Sequence, residues 1–377
     1  QLYFTRQSES SCFADGSAMI SAYDGRLRYW DLKTNSEVVI CPDANCIHET
    51  YHPDKNPNPT CTSVTPLGQA YSCVFIFKEK IYYIQSDDIN RSEIYVCDKD
   101  AKNKKKLLEF DSNVHVLATP IFREGKLFFL ANHAVYEDSD TDRFVPKGYD
   151  FRIYSFDINS KKLSKIKAFN GCRQLDIRNM HMYDNKLIYE IYTSTVDFSE
   201  IYDFEKNIYT DDPDKYASRQ IISLDISSGK EEVIFDSLKT FLIDSNNENI
   251  YISQNQNEDS SSVNYKVIEY NLKDKTSVDI CMSDNDYYSA VVRNGYIIYS
   301  DYPKDRICIF SISDKKLITI SQDDLDSYEI SFVTNSNVVL RNLTNNNIWG
   351  VIPFNDFVNG NIENISTIER EDLNNPT

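Results

Sequence analysis

One unit recurs along this chain and restricts its fold more than any other feature: a short alternating strand, a turn rich in Asp, Asn, Ser and Lys, then a second short strand. The copies read RLRYWDLKTNSEVVI (26–40), EIYVCDKDAKNKKKLL (93–108), RIYSFDINSKKLSKI (152–166), QIISLDISSGKEEVI (220–234), KVIEYNLKDKTSVDI (266–280) and RICIFSISDKKLITI (306–320). NIWGVIPFNDFVNGNIENI (347–365) is a weaker seventh. A further strand stands upstream of each from the second copy on: KIYYIQ (80–85), KLFFLA (126–131), KLIYEI (186–191), NIYISQ (249–254), YIIYSD (296–301) and NVVLRN (337–342). SAMISAY (17–23) fills that slot in the first copy, and another strand precedes these, as in SCVFIF (72–77) and NMHMY (179–183).

Units of four short antiparallel strands, repeated along a chain with almost no helical periodicity, are the pattern of propeller blades. The prediction is an all-β protein: one closed β-propeller over residues 1–377 with seven four-stranded blades, six or eight being the alternative counts. No domain boundary is expected. LYFTR (2–6) reads as a spare strand that pairs into the seventh blade and removes an exposed edge.

Strand order sorts the loops. In a blade with strands a to d, the a–b and c–d turns leave one rim, and the b–c loops and d-to-a crossings leave the other. The c–d turns here are short (KTNS, NSKK, SSGK, KDKT, SDKK). The long segments are 132–150, 192–218, 254–264 and an inter-blade insertion at 41–70, all assigned to the other rim. Long loops without a repeat of their own tend to carry function, so that rim is the expected recognition face. The b–c insertion 192–218 places Tyr192, Phe198, Tyr202, Phe204, Tyr209 and Tyr216 among acids. Rings supply contact area and acids supply acceptors for a sugar or a peptide, although the same rings can serve to fold the loop onto its blade.

Residues 41–70 hold Pro42, Pro53, Pro57, Pro59 and Pro66 and few large apolar groups, so order there requires a staple. Cys41, Cys46, His48 and Cys61, spaced C-x4-C-x-H-x12-C, supply one. Three thiolates and an imidazole suit a tetrahedral structural zinc. His52 is an alternative to His48, a Cys46–Cys61 disulfide would serve an exported protein, and unlinked thiols are the third possibility. Three or four protein ligands leave little open coordination, which points to structure rather than catalysis.

The run RLRYWDLKTNSEVVICPDANCIH (26–48), followed by Cys61, resembles a group of uncharacterised exported propeller proteins of clostridial and related low-GC Gram-positive bacteria. They are often lipoproteins and loosely TolB-like. The resemblance implies export, attachment at the cell surface and a propeller of about seven blades; it implies no established activity. This chain departs from the group in the longer, proline-richer gap before Cys61. The opening at Gln1 is expected of a segment trimmed from a larger precursor, any lipid anchor lying ahead of it.

The remaining chemistry is weaker. A net charge of −18 argues against nucleic acid and anionic membranes, and KNKKK (102–106) reads as a solvated hairpin tip. No apolar run is long enough for a membrane helix. The nine cysteines are an odd number, so they cannot all pair within the chain. Asp138, Asp140 and Asp142 alternate as in calcium loops but lack the accompanying glycine and glutamate. His115, His133 and His181 are isolated in sequence. No nucleophile elbow, phosphate-cradling glycine loop or zinc-protease motif occurs. The expectation is a non-catalytic extracytoplasmic propeller that binds a peptide, protein or glycan. The alternatives are a carbohydrate-active hydrolase or lyase using carboxylates at the central channel, and an architectural partner in an envelope complex.

Overall fold

The computed structural model describes residues 3–4, 13–14 and 18–369, less 22–24, 52–53, 66–72, 87–91, 112–113, 117–119, 136–147, 170–173, 204, 247, 257–263, 284–289, 302–303, 305, 322–327 and 346–347. Each repeat begins as a hairpin. Its Asp or Asn at the end of the third strand folds back on the backbone: Asp31 Oδ1 accepts from Lys33 N at 2.8 Å and Thr34 N at 3.1 Å, and Asp225 and Asn271 repeat the device. The residue that closes the turn takes a positive φ, at Asn35, Lys161, Gly229, Lys275 and Lys315. These side chains set the turns because their oxygens mimic a backbone acceptor.

The hairpins stack into seven antiparallel blades built in chain order. Four strands form each blade, from Cys73–Phe77, Lys80–Ser86, Ser92–Asp98 and Lys105–Glu109 in the second to Tyr328–Val333, Asn337–Asn342, Ile348–Pro353 and Ser366–Glu369 in the seventh. The inner strand of the third blade is split into Val114–Val116 and Ile121–Arg123, both paired with Lys126–Val135. In the seventh, no tight turn joins the last two strands. The short helix Phe354–Val358 buries Phe354, Phe357 and Val358 between blades six and seven, so the fourth strand starts only at Ser366.

The core lies between blades. Strand Lys186–Ser194 sends Leu187, Tyr189 and Ile191 toward the third blade and Ile188 toward the fifth. A strand covered on both faces reads as a nearly continuous apolar run. Apolar clusters fill every junction around the ring, including the one where the chain ends meet.

That last junction corrects one expectation. Tyr3–Phe4 pairs with Phe13–Ala14, on the inner edge of the first blade, and not with the seventh. All four strands of the seventh blade come from residues 328–369. Among the described residues no strand crosses the seam, and the ring closes through side-chain contacts. Met19, Trp30 and Leu32 of the first blade meet Phe332, Val339, Trp349 and Val351 of the seventh. The Trp30 and Trp349 rings stand edge to face at 6.0 Å, and Asn35 Nδ2 donates to Ser366 Oγ at 2.9 Å across the seam.

Candidate functional site

The crossing from the first blade to the second runs between Val39 and Cys73. Its ends are tied to the first blade: Ile40 N donates to Leu27 O at 2.9 Å, Leu27 N to Ser63 O at 2.9 Å, and Thr65 N to Gly25 O at 2.8 Å. Arg26 Nη1 holds the His48 carbonyl at 2.9 Å, fixing a residue whose φ of +55° few non-glycine residues adopt. Ser63 and Thr65 are fully buried and Cys61 nearly so, which anchors the third thiol against the blade.

This scaffold brings Cys41, Cys46, His48 and Cys61 together. One ligand atom from each lies within 4.8 Å of all the others. Cys61 Sγ is 3.6 Å from His48 Nδ1. Tetrahedral zinc with ordinary Zn–S and Zn–N bonds has a ligand–ligand edge of about 3.6 Å, so the donor set fits such an ion in chemistry and size. Each sulfur also has a polar neighbour: Thr62 Oγ1 at 3.8 Å from Cys41, His48 N at 3.3 Å from Cys46, and Ser63 Oγ at 2.9 Å from Cys61. Cys41, Cys46 and Cys61 are free thiols, with no disulfide among them. His52, the alternative ligand, lies outside the described residues.

Crowding sets the electrostatics. Burial opposes ionisation of Cys41, but the Asp43 N–H and the Thr62 hydroxyl favour its thiolate and bring the thiol below its ordinary value. At Cys46 the His48 N–H favours the thiolate, yet burial and the adjoining Cys61 and Cys41 sulfurs prevail and push the thiol up to about 11. Three thiolates this close cannot coexist without a cation between them. A cleft of about 450 Å3 beside Cys41 and Cys46, lined also by Glu49, Thr60 and Lys102, opens the cluster to solvent.

The crossing also docks where strand order alone did not put it. Thr62 Oγ1 donates to Asp100 O at 3.5 Å, and Lys104 donates to the carbonyls of Thr62 and, at 2.6 Å, Val64. Asp100 and Lys104 belong to the c–d turn of the second blade, which strand direction assigns to the opposite rim. Sheet twist swings outer strands away from the axis, so the end of one blade reaches the turn of the next. KNKKK (102–106) is therefore not simply a solvated tip: Lys104 enters the crossing, and Lys106 pairs with buried Glu93 at 2.7 Å.

Between Ser194 and Ala217 the fourth blade carries a structured excursion. It consists of a 3-10 turn at Phe198–Ile201, a hairpin pairing Tyr202–Asp203 with Ile208–Tyr209, and a second 3-10 turn at Pro213–Lys215. Thr195 N to Tyr216 O at 3.1 Å closes its base. Several of the rings singled out in the sequence build this loop. Tyr202 and Tyr209 meet edge to face at 5.0 Å, the Tyr216 hydroxyl donates to Asp211 at 2.7 Å, and Tyr192 covers Arg219 at 5.1 Å. Phe204 lies outside the described residues, and Phe198 is placed by its backbone only. At the hairpin, Ile208 and Tyr209 are 53% and 49% exposed.

Beneath the excursion is an ion pair that sequence reasoning missed. Glu190, 1% exposed, accepts from Leu242 N at 2.7 Å, and its other oxygen stands 3.5 Å from Arg219 Nε. The Arg219 guanidinium is layered between Tyr192 and Phe241, 3.9 Å from the latter's centroid. Burial pushes the Glu190 carboxyl above its usual range, against the pull of the Leu242 N–H and Arg219. The available signal was an acid at a core-facing position of KLIYEI (186–191). Of the isolated histidines, His133 hydrogen-bonds Tyr154 Oη at 3.0 Å and His181 is buried in a separate blade. Asp138, Asp140 and Asp142 lie outside the described residues.

No protein-family model matches the chain, and no curated protein does. Solved structures do. The β-propeller domain of the Trilobed protease from Pyrococcus furiosus, described as having an open velcro topology, superposes with a TM-score of 0.51 at 16% identity, covering 100% of this chain and 99% of that one. An oligogalacturonate lyase in complex with manganese gives 0.52 at 8% identity over 91% and 92%. A puromycin-hydrolysing peptidase of Mycobacterium tuberculosis gives 0.56 at 8% identity, covering 98% of this chain and 53% of that one. TolB from Acinetobacter baumannii gives 0.41 at 10% identity, too distant a superposition to carry an argument. At these identities the likeness establishes one thing about this chain: it is a β-propeller.

Proposed function

We propose that this protein is an extracytoplasmic, cell-surface-associated propeller that binds a peptide, protein or glycan without catalysis, and that its Cys3His cluster holds a structural zinc. The observation that carries the binding reading is the Ile208–Tyr209 hairpin. Two large apolar side chains stand about half exposed on a loop that its own hydrogen bonds hold in shape. Preordered apolar anchors beside acids suit recognition, because little side-chain entropy is lost on binding. The acids Asp203, Asp211, Asp212 and Asp214 on the same loop suit a cationic or hydroxyl-rich ligand.

Among the described residues, the buried acids Glu190 and Asp301 are each held by an arginine, Arg219 at 3.5 Å and Arg306 at 2.8 Å. Both carboxylates are almost fully buried and already bonded within the fold, which leaves little of either open to a substrate and weighs against the hydrolase or lyase alternative. The free thiols and fitted donor geometry support zinc over a disulfide.

The test is a glycan and peptide array probed with the wild type and with a chain in which residues 195–216 are replaced by a short turn. A ligand retained by the wild type and lost by the shortened chain supports the reading. Equal binding by both refutes it.

A further inference from the structure

A zinc held by three thiolates and a neutral imidazole carries a net charge of about −1, and such a charge beside a buried wall requires a counter-ion. One residue answers to that need. Lys104 ends the turn just before the last strand of the second blade, half-buried while the nearby Lys102 and Lys105 are exposed. Its ammonium is held by the carbonyls of Thr62 and Val64, the residues that flank Ser63 just after ligand Cys61.

Lys102 and Lys105 are exposed to solvent, and three other lysines of the second blade have carboxylate partners: Lys80 with Asp98, Lys99 with Glu79, and Lys106 with Glu93 and Glu109. Among the described residues Lys104 has none, in a protein of net charge −18. A partly buried cation in an acidic protein that meets carbonyls, and no acid, beside a cluster of thiols lacks compensation if those thiols are neutral. It is compensated when they are thiolates around a divalent ion.

We infer that Lys104 is the counter-ion of the Cys3His centre, and that through it the loaded centre clamps the exit of the first blade onto the outer turn of the second. This rests on the zinc reading above. Lys104 touches no ligand atom and is a positioning residue. Its charge offsets that of the thiolates, and its two carbonyl bonds hold Cys61 in place. The Thr62 hydroxyl, which reaches both Cys41 Sγ and Asp100 O, joins the same clamp.

The experiment is chelator competition for zinc at fixed pH, on the full chain, with wild type, Lys104→Met, Lys104→Arg and Lys105→Met. The melting temperature of each is recorded in chelator and in zinc. Methionine keeps the stem and removes the charge. The wild type should bind one equivalent, and Lys104→Met should weaken binding by about tenfold to a hundredfold, the range for outer-shell partners. Lys104→Arg and the exposed control Lys105→Met should stay close to wild type. In chelator Lys104→Met should melt with the wild type, and in zinc it should show a smaller rise, which separates a lost counter-ion from a lost fold. Undiminished affinity in Lys104→Met overturns the assignment of Lys104 while leaving the zinc reading standing. Failure of the wild type to bind zinc overturns both.

Discussion

Closure of the ring through side-chain contacts makes a quantitative prediction about Trp30. Its indole is fully buried against Trp349, and its Nε1 donates to Asn35 Oδ1 at 2.9 Å, the same Asn35 that reaches Ser366 of the seventh blade. Replacing a buried Trp by Ala costs about 3–5 kcal/mol in transfer and cavity terms. The entropy of unfolding is about 2.1 cal/mol/K per residue, or about 0.8 kcal/mol/K for a chain of this length. Trp30→Ala should therefore lower the melting temperature by about 4–6 °C. Removing residues 1–8 deletes a strand whose described pairing is confined to the first blade, and should cost less than half of that. Differential scanning calorimetry on both variants decides the matter. A larger loss from the deletion than from Trp30→Ala would mean that the N-terminal strand, and not the tryptophan seam, holds the ring shut. A Trp30/Trp349 double-mutant cycle should return a coupling of about 1 kcal/mol, the value of an edge-to-face pair; additivity would argue that the two blades do not meet there.

Three further outcomes are expected. Ile208→Ser with Tyr209→Ser should abolish capture of any ligand found on the array and leave the melting temperature almost unchanged, since both side chains are about half exposed; retained binding places the contact surface elsewhere. Zinc affinity should fall steeply with acidification, by about a thousandfold per pH unit while three thiols must each release a proton, and a flat profile between pH 6.5 and 7.5 speaks against thiolate ligation. Glu190→Ala should destabilise by about 1–3 kcal/mol because it leaves the buried Leu242 N–H without its acceptor. The Glu190 carboxyl is raised in the folded state, so its contribution is greatest below its unfolded value and declines as pH rises through the folded one. Glu190→Gln should remove that component from the pH–stability curve, and an unaltered curve would show that this carboxyl does not titrate differently on folding.

Much of this protein could be read without coordinates because its information is local. A hairpin is decided by residues a few positions apart: the Asp31 side chain turns the chain at Lys33 and Thr34 wherever the blade sits, and six such hairpins with a weaker seventh copy give seven blades. The Cys41, Cys46, His48 and Cys61 set was visible because a proline-rich segment with so few apolar groups has little else to order it. The short helix at Phe354–Val358 was missed because Phe354 and Phe357 look like strand residues until the sixth blade is there to receive them.

What tertiary structure alone decided are the meetings between blades, which depend on how strongly each sheet twists and how neighbours stack. Lys104 looked like one of several solvated lysines, and only the folded chain shows it bonded to Thr62 and Val64. Glu190 and Arg219 face each other because strands Lys186–Ser194 and Ala217–Asp225 are adjacent, with the whole excursion between them in sequence. The N-terminal strand could have joined either blade on hydrophobic pattern alone, since both offered an unpaired edge. Its pairing with Phe13–Ala14 is a choice between edges that no alternation of residues encodes.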